Sequence, residues 1–468
     1  MSSPLTCLFS LTLVLTSVCQ ARIYHIDAAA SDDLRDGLSP ATAWKSLNKF
    51  NATVFQAGDQ ILFKSGQHWL GQLRPQGSGK SAANAANAIL PITIGRYGEG
   101  SLPEIRGAGL SLDTVLIEDI EYWTITDLAV TNKGAATAPG RSGVHIHAQA
   151  LKLMRGITLR GLHVYDVNGD LRKSHEGQGI LFEASAKNHA AFDGILIENC
   201  RLERTDRNGI CQRGLGDTRS KNVIIRSNIL NDIGGDAIKL WGTNGGIIEK
   251  NIVRNARARC SDNAAAIWPF ACDDTLIQYN EVSGTKGTKD GQAFDSDYQC
   301  KRTIIQYNYS YQNEGGFILI CSPGNSYNLD TIVRYNVSVH DGVNSGRIIQ
   351  IGGNPANTRF HNNTIVIGPQ QNLPMISFNE WDGGKANNTS FSSNSMIVAD
   401  GGTATYNLAL GTNTRFTDNL FVGRHEGLPD GAKAALPVPA GGGEPVPEAS
   451  AATDSNDHSK PLSPRPNP

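Results

Sequence analysis

TLIQYN (275–280), TIIQYN (303–308) and TIVRYN (331–336) are one phrase written three times at near-constant spacing. Weaker copies run from Gly156 to about Asn419: GITLRG (156–161), GILIEN (194–199), VIIRSN (223–228), GIIEKN (246–251), TRFHNN (358–363), TSFSSN (389–394) and TRFTDN (414–419). The closing Asn falls at 199, 228, 251, 280, 308, 336, 363, 394 and 419, at intervals of 23 to 31 residues. A repeat of that length marks a solenoid. Each phrase alternates apolar and polar residues, is β-branched, and is followed by Gly, Asn and Asp rather than by a second helix. A second strand-like phrase lies between successive Asn positions: GQGILFE, RNGICQR, GDAIKLW, AAAIWPF, GQAFDSD, GGFILIC and SGRIIQI. Strands that recur once per coil stack in parallel about 4.8 Å apart. The expected fold is therefore all-β, a single parallel β-helix solenoid. The Asn column is expected to be an internal ladder, since its amides can bond the turns of the next coil.

The ends of the chain read differently. Residues 1–21 have the form of a secretion signal, apolar from Leu8 to Val18 and closing on Cys19-Gln20-Ala21. That predicts a secreted, periplasmic or extracellular protein; lipid anchoring at Cys19 is the weaker alternative. Residues 22–425 are expected to form the β-helix domain. Its open N-terminal end needs a cover, and DGLSPATAWKSLNKF (36–50) supplies a short helix in which Trp44, Leu47 and Phe50 share a face. Residues 426–468 are rich in Pro, Ala and Gly and read as a disordered tail. No other apolar run has the ~20 residues of a membrane span. A net charge of −2 over 468 residues gives no basic field for nucleic acid. Nothing in the sequence calls for an oligomer, so a monomer is expected.

Cys272 lies eight residues before Asn280, and Cys300 eight before Asn308. The two share a place on neighbouring coils, within reach of a disulfide, and that bridge is predicted.

Chemistry is expected on the second-type strands. Aligned on Val144, Ile180, Ile210, Ile238, Ile267, Phe294 and Phe317, they place two columns on the outer face. One reads His145, Leu181, Cys211, Lys239, Trp268, Asp295, Ile318; the other reads His147, Glu183, Arg213, Trp241, Phe270, Asp297, Ile320. Charges with tryptophans among them suit a saccharide groove, where rings stack on sugars and charged groups meet carboxylates and hydroxyls. Glu183, Trp241, Trp268, His145 and His147 are the expected substrate contacts. The bland alternative is a solvated face with ion pairs such as Arg213 with Glu183. Two inserts, Gly169–Gly177 and Ser283–Asp290, are long enough to build walls.

The repeat, the opening IYHIDA…DGLSPATAWKSL and the strand GDAIKLWG (235–242) resemble the right-handed parallel β-helix proteins of the pectate-lyase-like superfamily, over most of residues 23–420. GDAIKLWG is similar to the strand that presents the catalytic lysine in family 9 polysaccharide lyases, which implies Lys239 as a base. Those enzymes hold calcium with aspartates on nearby coils. Here the preceding strand is RNGICQRG (207–214), without the acidic DDG phrase. GQAFDSDYQCKRTIIQYNYSYQNEGGFILIC (291–321) resembles segments of secreted β-helix carbohydrate-active proteins.

The leading expectation is a lyase that breaks an acidic, uronate-containing polysaccharide by β-elimination. That reaction needs a cation on the carboxylate and a neutral base. Arg213 and Lys239 lie about one coil apart, and a guanidinium beside a lysine pushes its pKa down. Asp206, Asp232, Asp236 and Asp262, in adjoining turns, are the candidate calcium ligands; Asp in a turn is more often only an Asx corner. The alternatives are an inverting glycoside hydrolase using Asp295 and Asp297, with stems about 6.6 Å apart, a C5-epimerase, and a non-catalytic polysaccharide-binding solenoid.

Overall fold

Parallel pairing follows the sequence repeat coil by coil. The computed structural model describes residues 20–81, 89–214, 218–287, 289–344, 346–430, 432 and 436–437. Almost all of the expected leader, and most of the expected tail, lie outside them. Among the described residues, three parallel sheets of 15, 13 and 11 strands run along the molecule, each coil adding a strand to each sheet. This is the parallel β-helix that the repeat predicts. No described helix is long and apolar enough to cross a membrane.

The interior is built from columns. Ile197, Ile225, Ile248, Ile277, Ile305, Val333, Phe360, Phe391 and Phe416 pair in register down one sheet, every one of them buried. Branched side chains fill a pleated surface well, and the last three positions switch to rings stacked 4.8 and 4.9 Å apart. At the N-terminal end the helix Leu47–Asn51 covers the core, with Ser46 capping it through Lys49 N–H. Leu47 and Phe50 are buried beneath it. Trp44 precedes the helix, bridges to Ile26 and stacks on Tyr24 at 4.9 Å.

The Asn ladder is present. In each step the Asn amide donates to a carbonyl of the coil before and to the next Asn Oδ1, which also takes the backbone N–H. Asn308 Nδ2, for example, donates to Ile277 O and to Asn336 Oδ1, both at 3.0 Å. Its own Oδ1 accepts from Asn280 N and Nδ2. The ladder begins at Asn228; Cys200, not Asn199, holds the corresponding place on the coil before and donates its N–H to Asn228 Oδ1. The left-handed corner belongs to the residue before each Asn, as at Ser227, Tyr279, Tyr307 and Tyr335. Asn308→Ala strands several buried partners and is expected to cost about 2–3 kcal/mol in urea unfolding. Asn308→Asp, which cannot donate, is expected to cost at least as much.

Two expectations are corrected here. Cys272 and Cys300 are both free and buried. Their thiols lean on the carbonyls of Phe270 and Pro269 instead of on each other. Residues stacked in register keep their Cβ atoms near the 4.8 Å strand spacing, whereas a disulfide brings them to about 3.8 Å. The second correction concerns register. Phe294 pairs with Ile318 rather than Phe317, so Leu319 stands beside Asp295 and Cys321 beside Asp297. A slip of one residue exchanges the faces of the strand; in FILIC the apolar run gives no alternation to locate it.

Candidate active site

The outer face of the 11-stranded sheet carries a cavity of about 670 Å3. Its floor comes from the strands Ile238–Trp241, Ile267–Phe270, Gln292–Ser296 and Gly316–Ser322. The two long inserts build walls, as expected: the first brings Lys173, Ser174 and Glu176, and the second brings Asp290. Trp381, from a later turn, closes the far side. Of the expected site residues, Arg213, Lys239, Trp241, Trp268, Asp295 and Asp297 line this one space.

Lys239 is not a free base. Its Nζ donates to both Glu176 oxygens, at 2.9 and 3.1 Å, with the lysine and glutamate side chains 2 % and 5 % exposed. Burial alone would lower the lysine pKa; Cys211, Glu176 and Asp236 around it act the other way, and the net shift is upward. The Cys211 thiol is itself pushed up to about 12 by burial. Glu176 is pulled upward by burial too, but Lys239 and Arg213 bring it down to about 2. Arg213 donates to Glu176 at 3.2 Å and lies 3.8 Å from Glu183. The expected base and clamp thus face a carboxylate supplied by the wall. Glu176 lies outside the aligned strands, so the columns of outward residues did not contain it.

The carboxyl groups form the other half of the site. One oxygen each of Asp295 and Asp297 and the Cys321 sulfur lie within 4.8 Å of one another. Cys321 Sγ–H donates to Asp297 Oδ1 at 3.3 Å. Asp295 is 4 % exposed, and burial followed by the charges of Asp297 and Asp290 raises it well above the ordinary carboxyl range. Burial raises Asp297 to about 6. Asp290 is also raised by burial, and it and Asp297 are the partly exposed members of the trio. Asp290 closes an insert marked as a wall, but only the fold turns it toward Asp295.

The other expected residues take structural duties. Trp268 is buried, gives its indole N–H to Asp236 Oδ1 at 3.0 Å and has the Lys239 ammonium 5.5 Å over its ring, so it offers no stacking face. Trp241 keeps a half-buried ring in the cavity, edge-on to Phe270 at 4.9 Å. His145 and His147 stack at 4.9 Å farther up the same sheet, outside the cavity. They face the carboxylates of Asp113 and Glu183 (His145, 3.3 and 3.7 Å) and Glu118 (His147, 3.6 Å), side-chain contacts within the face of the kind the bland alternative expects. The four candidate calcium ligands do not converge. Arg259 pairs with Asp206 and Asp232. Arg207 pairs with Asp236 and Asp262. Asp236 also accepts Ala265 N–H, and Asp262 accepts Lys173 N–H. Arginines on the same turns compensate these charges, and the cis peptide between Asp206 and Arg207 lies among them.

No sequence-family profile matches the chain. It is 26 % identical over 453 residues to a lacto-N-biosidase of Bifidobacterium longum subsp. longum, a match covering 75 % of this chain and 28 % of that protein. It is 26 % identical over 215 residues to the alpha-1,3-galactosidase A of Akkermansia muciniphila, covering 39 % of this chain and 35 % of that protein. The chain therefore spans about a third or less of the length of these curated relatives. Among solved structures, the GH136 lacto-N-biosidase of Eubacterium ramulus superposes with a TM-score of 0.68 at 25 % identity, over 81 % of this chain and 68 % of that one. The parallel β-helix fold is shared with that glycoside hydrolase. These likenesses overturn the lyase expectation, because the relatives are glycoside hydrolases. The tie to family 9 lyases is not supported, and its proposed base is a buried, paired cation.

Proposed function

We propose that this chain is the catalytic β-helix of a glycoside hydrolase acting on a neutral oligosaccharide of the lacto-N-biose kind. The observation that carries the reading is the trio Asp290, Asp295 and Asp297 in a cavity whose deepest cation is already matched by Glu176. Glycoside hydrolysis needs two carboxyl groups in different protonation states. Asp297, held near 6, is the ionised member that faces the anomeric carbon. Asp290, reaching in from the wall, gives its proton to the leaving oxygen. Asp295 lies on the floor, where burial and the charges of Asp297 and Asp290 keep its proton on it. The pairing of Lys239 and Arg213 with Glu176 takes up the base and the carboxylate clamp that β-elimination on a uronate would use, which favours hydrolysis of a neutral sugar. The relatives named above lend this reading its substrate class.

The test is incubation of the purified chain with a tetrasaccharide ending in lacto-N-biose. The expected result is release of the disaccharide without the near-ultraviolet absorbance of an unsaturated sugar. An absorbing product would overturn the reading.

The pH profile is a second expectation. Asp297 must be ionised to act, so kcat/KM should fall as pH drops through about 6, an apparent value belonging to the coupled pair. The sign for stability is opposite. A carboxyl raised from 3.8 to about 6 binds its proton more tightly in the folded state, so folding stability falls as pH rises through that window.

A further inference from the structure

Trp381 belongs to no repeat column, yet a seat has been cleared for it. It opens a tight turn in which Gly384 N–H donates to Trp381 O at 2.9 Å. Asp382 and Gly383 both take positive φ, 49° and 76°. The turn docks on an earlier coil through Gly324 N–H to Trp381 O at 3.1 Å. Glycine is required at the contact surfaces. A Cβ on Gly352 would lie 2.6 Å from Trp381 Cζ2 and 2.7 Å from Cε2. A Cβ on Gly324 would lie 2.1 Å from Asp382 O. The indole thus rests against bare backbone on one side, while its other side lines the cavity.

Its place relative to the carboxyl groups follows from register. Trp241 pairs with Phe270, and Asp297 N–H bonds Pro269 O on that strand. On the other side Cys321, which touches Asp297, pairs with Gly352. Trp241 and the seat of Trp381 therefore lie two strands to either side of Asp297, about 9.6 Å each way at the strand spacing. That is room for about one sugar ring on each side.

We propose that Trp381 is the stacking platform for the sugar on one side of the cleaved bond, opposite the sugar held at Trp241. The proposal rests on the glycosidase reading for its ligand class. Rings of this kind bind the apolar faces of sugars, and their geometry sets specificity. The glycines at 324 and 352 are the means by which this sequence places an aromatic face where its strands provide none.

The experiment compares the full chain with Trp381→Leu, Trp381→Phe and Gly352→Ala on the same tetrasaccharide. Trp381→Leu should raise KM about tenfold or more, on the scale of one lost stacking contact, while kcat falls less. Trp381→Phe should stay within about threefold of the parent. Gly352→Ala, which leaves the tryptophan in the sequence but occupies its seat, should resemble Trp381→Leu. Parent-like KM in Trp381→Leu, or equal damage from Leu and Phe, would overturn the proposal. Tryptophan fluorescence of Asp297→Asn titrated with the tetrasaccharide gives a readout independent of turnover. Quenching that disappears in Asp297→Asn/Trp381→Phe supports the platform, even if the parent proves not to hydrolyse this sugar. Quenching that persists unchanged overturns it.

Discussion

Asp297→Asn is expected to lower kcat on a natural oligosaccharide by about 10²–10⁴-fold while leaving the fold intact, the range of a lost acid–base or nucleophilic carboxylate. Asn matches Asp in size, and Asp297 makes no ion pair among the described contacts, so circular dichroism and the unfolding midpoint should stay near parent values. The other two carboxyl groups separate by the leaving group they serve. Asp290→Asn should cost a similar factor on the oligosaccharide but much less on a nitrophenyl glycoside, whose leaving group departs without a proton. Asp295→Asn should retain most activity and leave the acidic limb near its parent position, because a carboxyl that keeps its proton carries no charge for Asn to remove. If Asp295→Asn instead abolishes turnover while Asp290→Asn does not, the working pair is Asp295 with Asp297.

Lys239→Met is expected to destabilise the protein by about 3–5 kcal/mol, the cost of breaking a buried ion pair by removing one partner. Glu176 would be left in the cavity wall with the Arg213 guanidinium at 3.2 Å and the Gln178 amide at 3.3 Å, and with no ammonium. The double variant Lys239→Met/Glu176→Gln should recover much of the loss, since two neutral groups need no mutual compensation. Urea unfolding of the four proteins measures the coupling. The sign with pH is set by Glu176. Its folded pKa, about 2, lies below its ordinary 4.5, so the stabilisation is present above 4.5 and is lost as pH falls toward 2. Lys239→Met should lose that acid dependence. Because Glu176 anchors the Lys173–His175 wall, KM should rise in the single variant. A Lys239→Met protein with parent stability and no turnover would show that the lysine acts in chemistry rather than in holding the wall.

The local pattern was enough for the coil. A β-branched phrase closing on Asn at a near-constant interval leaves few packings open, because each Ile or Val must stack on its copy and each Asn must find the next Asn. The alternation of Lys239-Leu240-Trp241 and of Asp295-Ser296-Asp297 placed those charges and Trp241 on the outer face, and the inserts were legible as walls. What sequence spacing lacked was partner identity. Glu176 is distant in the chain from Lys239, and only coiling brings them to 2.9 Å, turning an apparent base into a fixed cation. The same holds for Arg207 and Arg259, which claim the aspartates that resembled calcium ligands. Cys321 reached Asp297 through a one-residue register that an unbroken apolar strand does not encode locally. Trp381 reached the cavity because glycines on other coils make way for it. Periodicity reports the face on which a side chain stands. Charge state and function depend on which groups stand opposite, and those come from other turns of the coil.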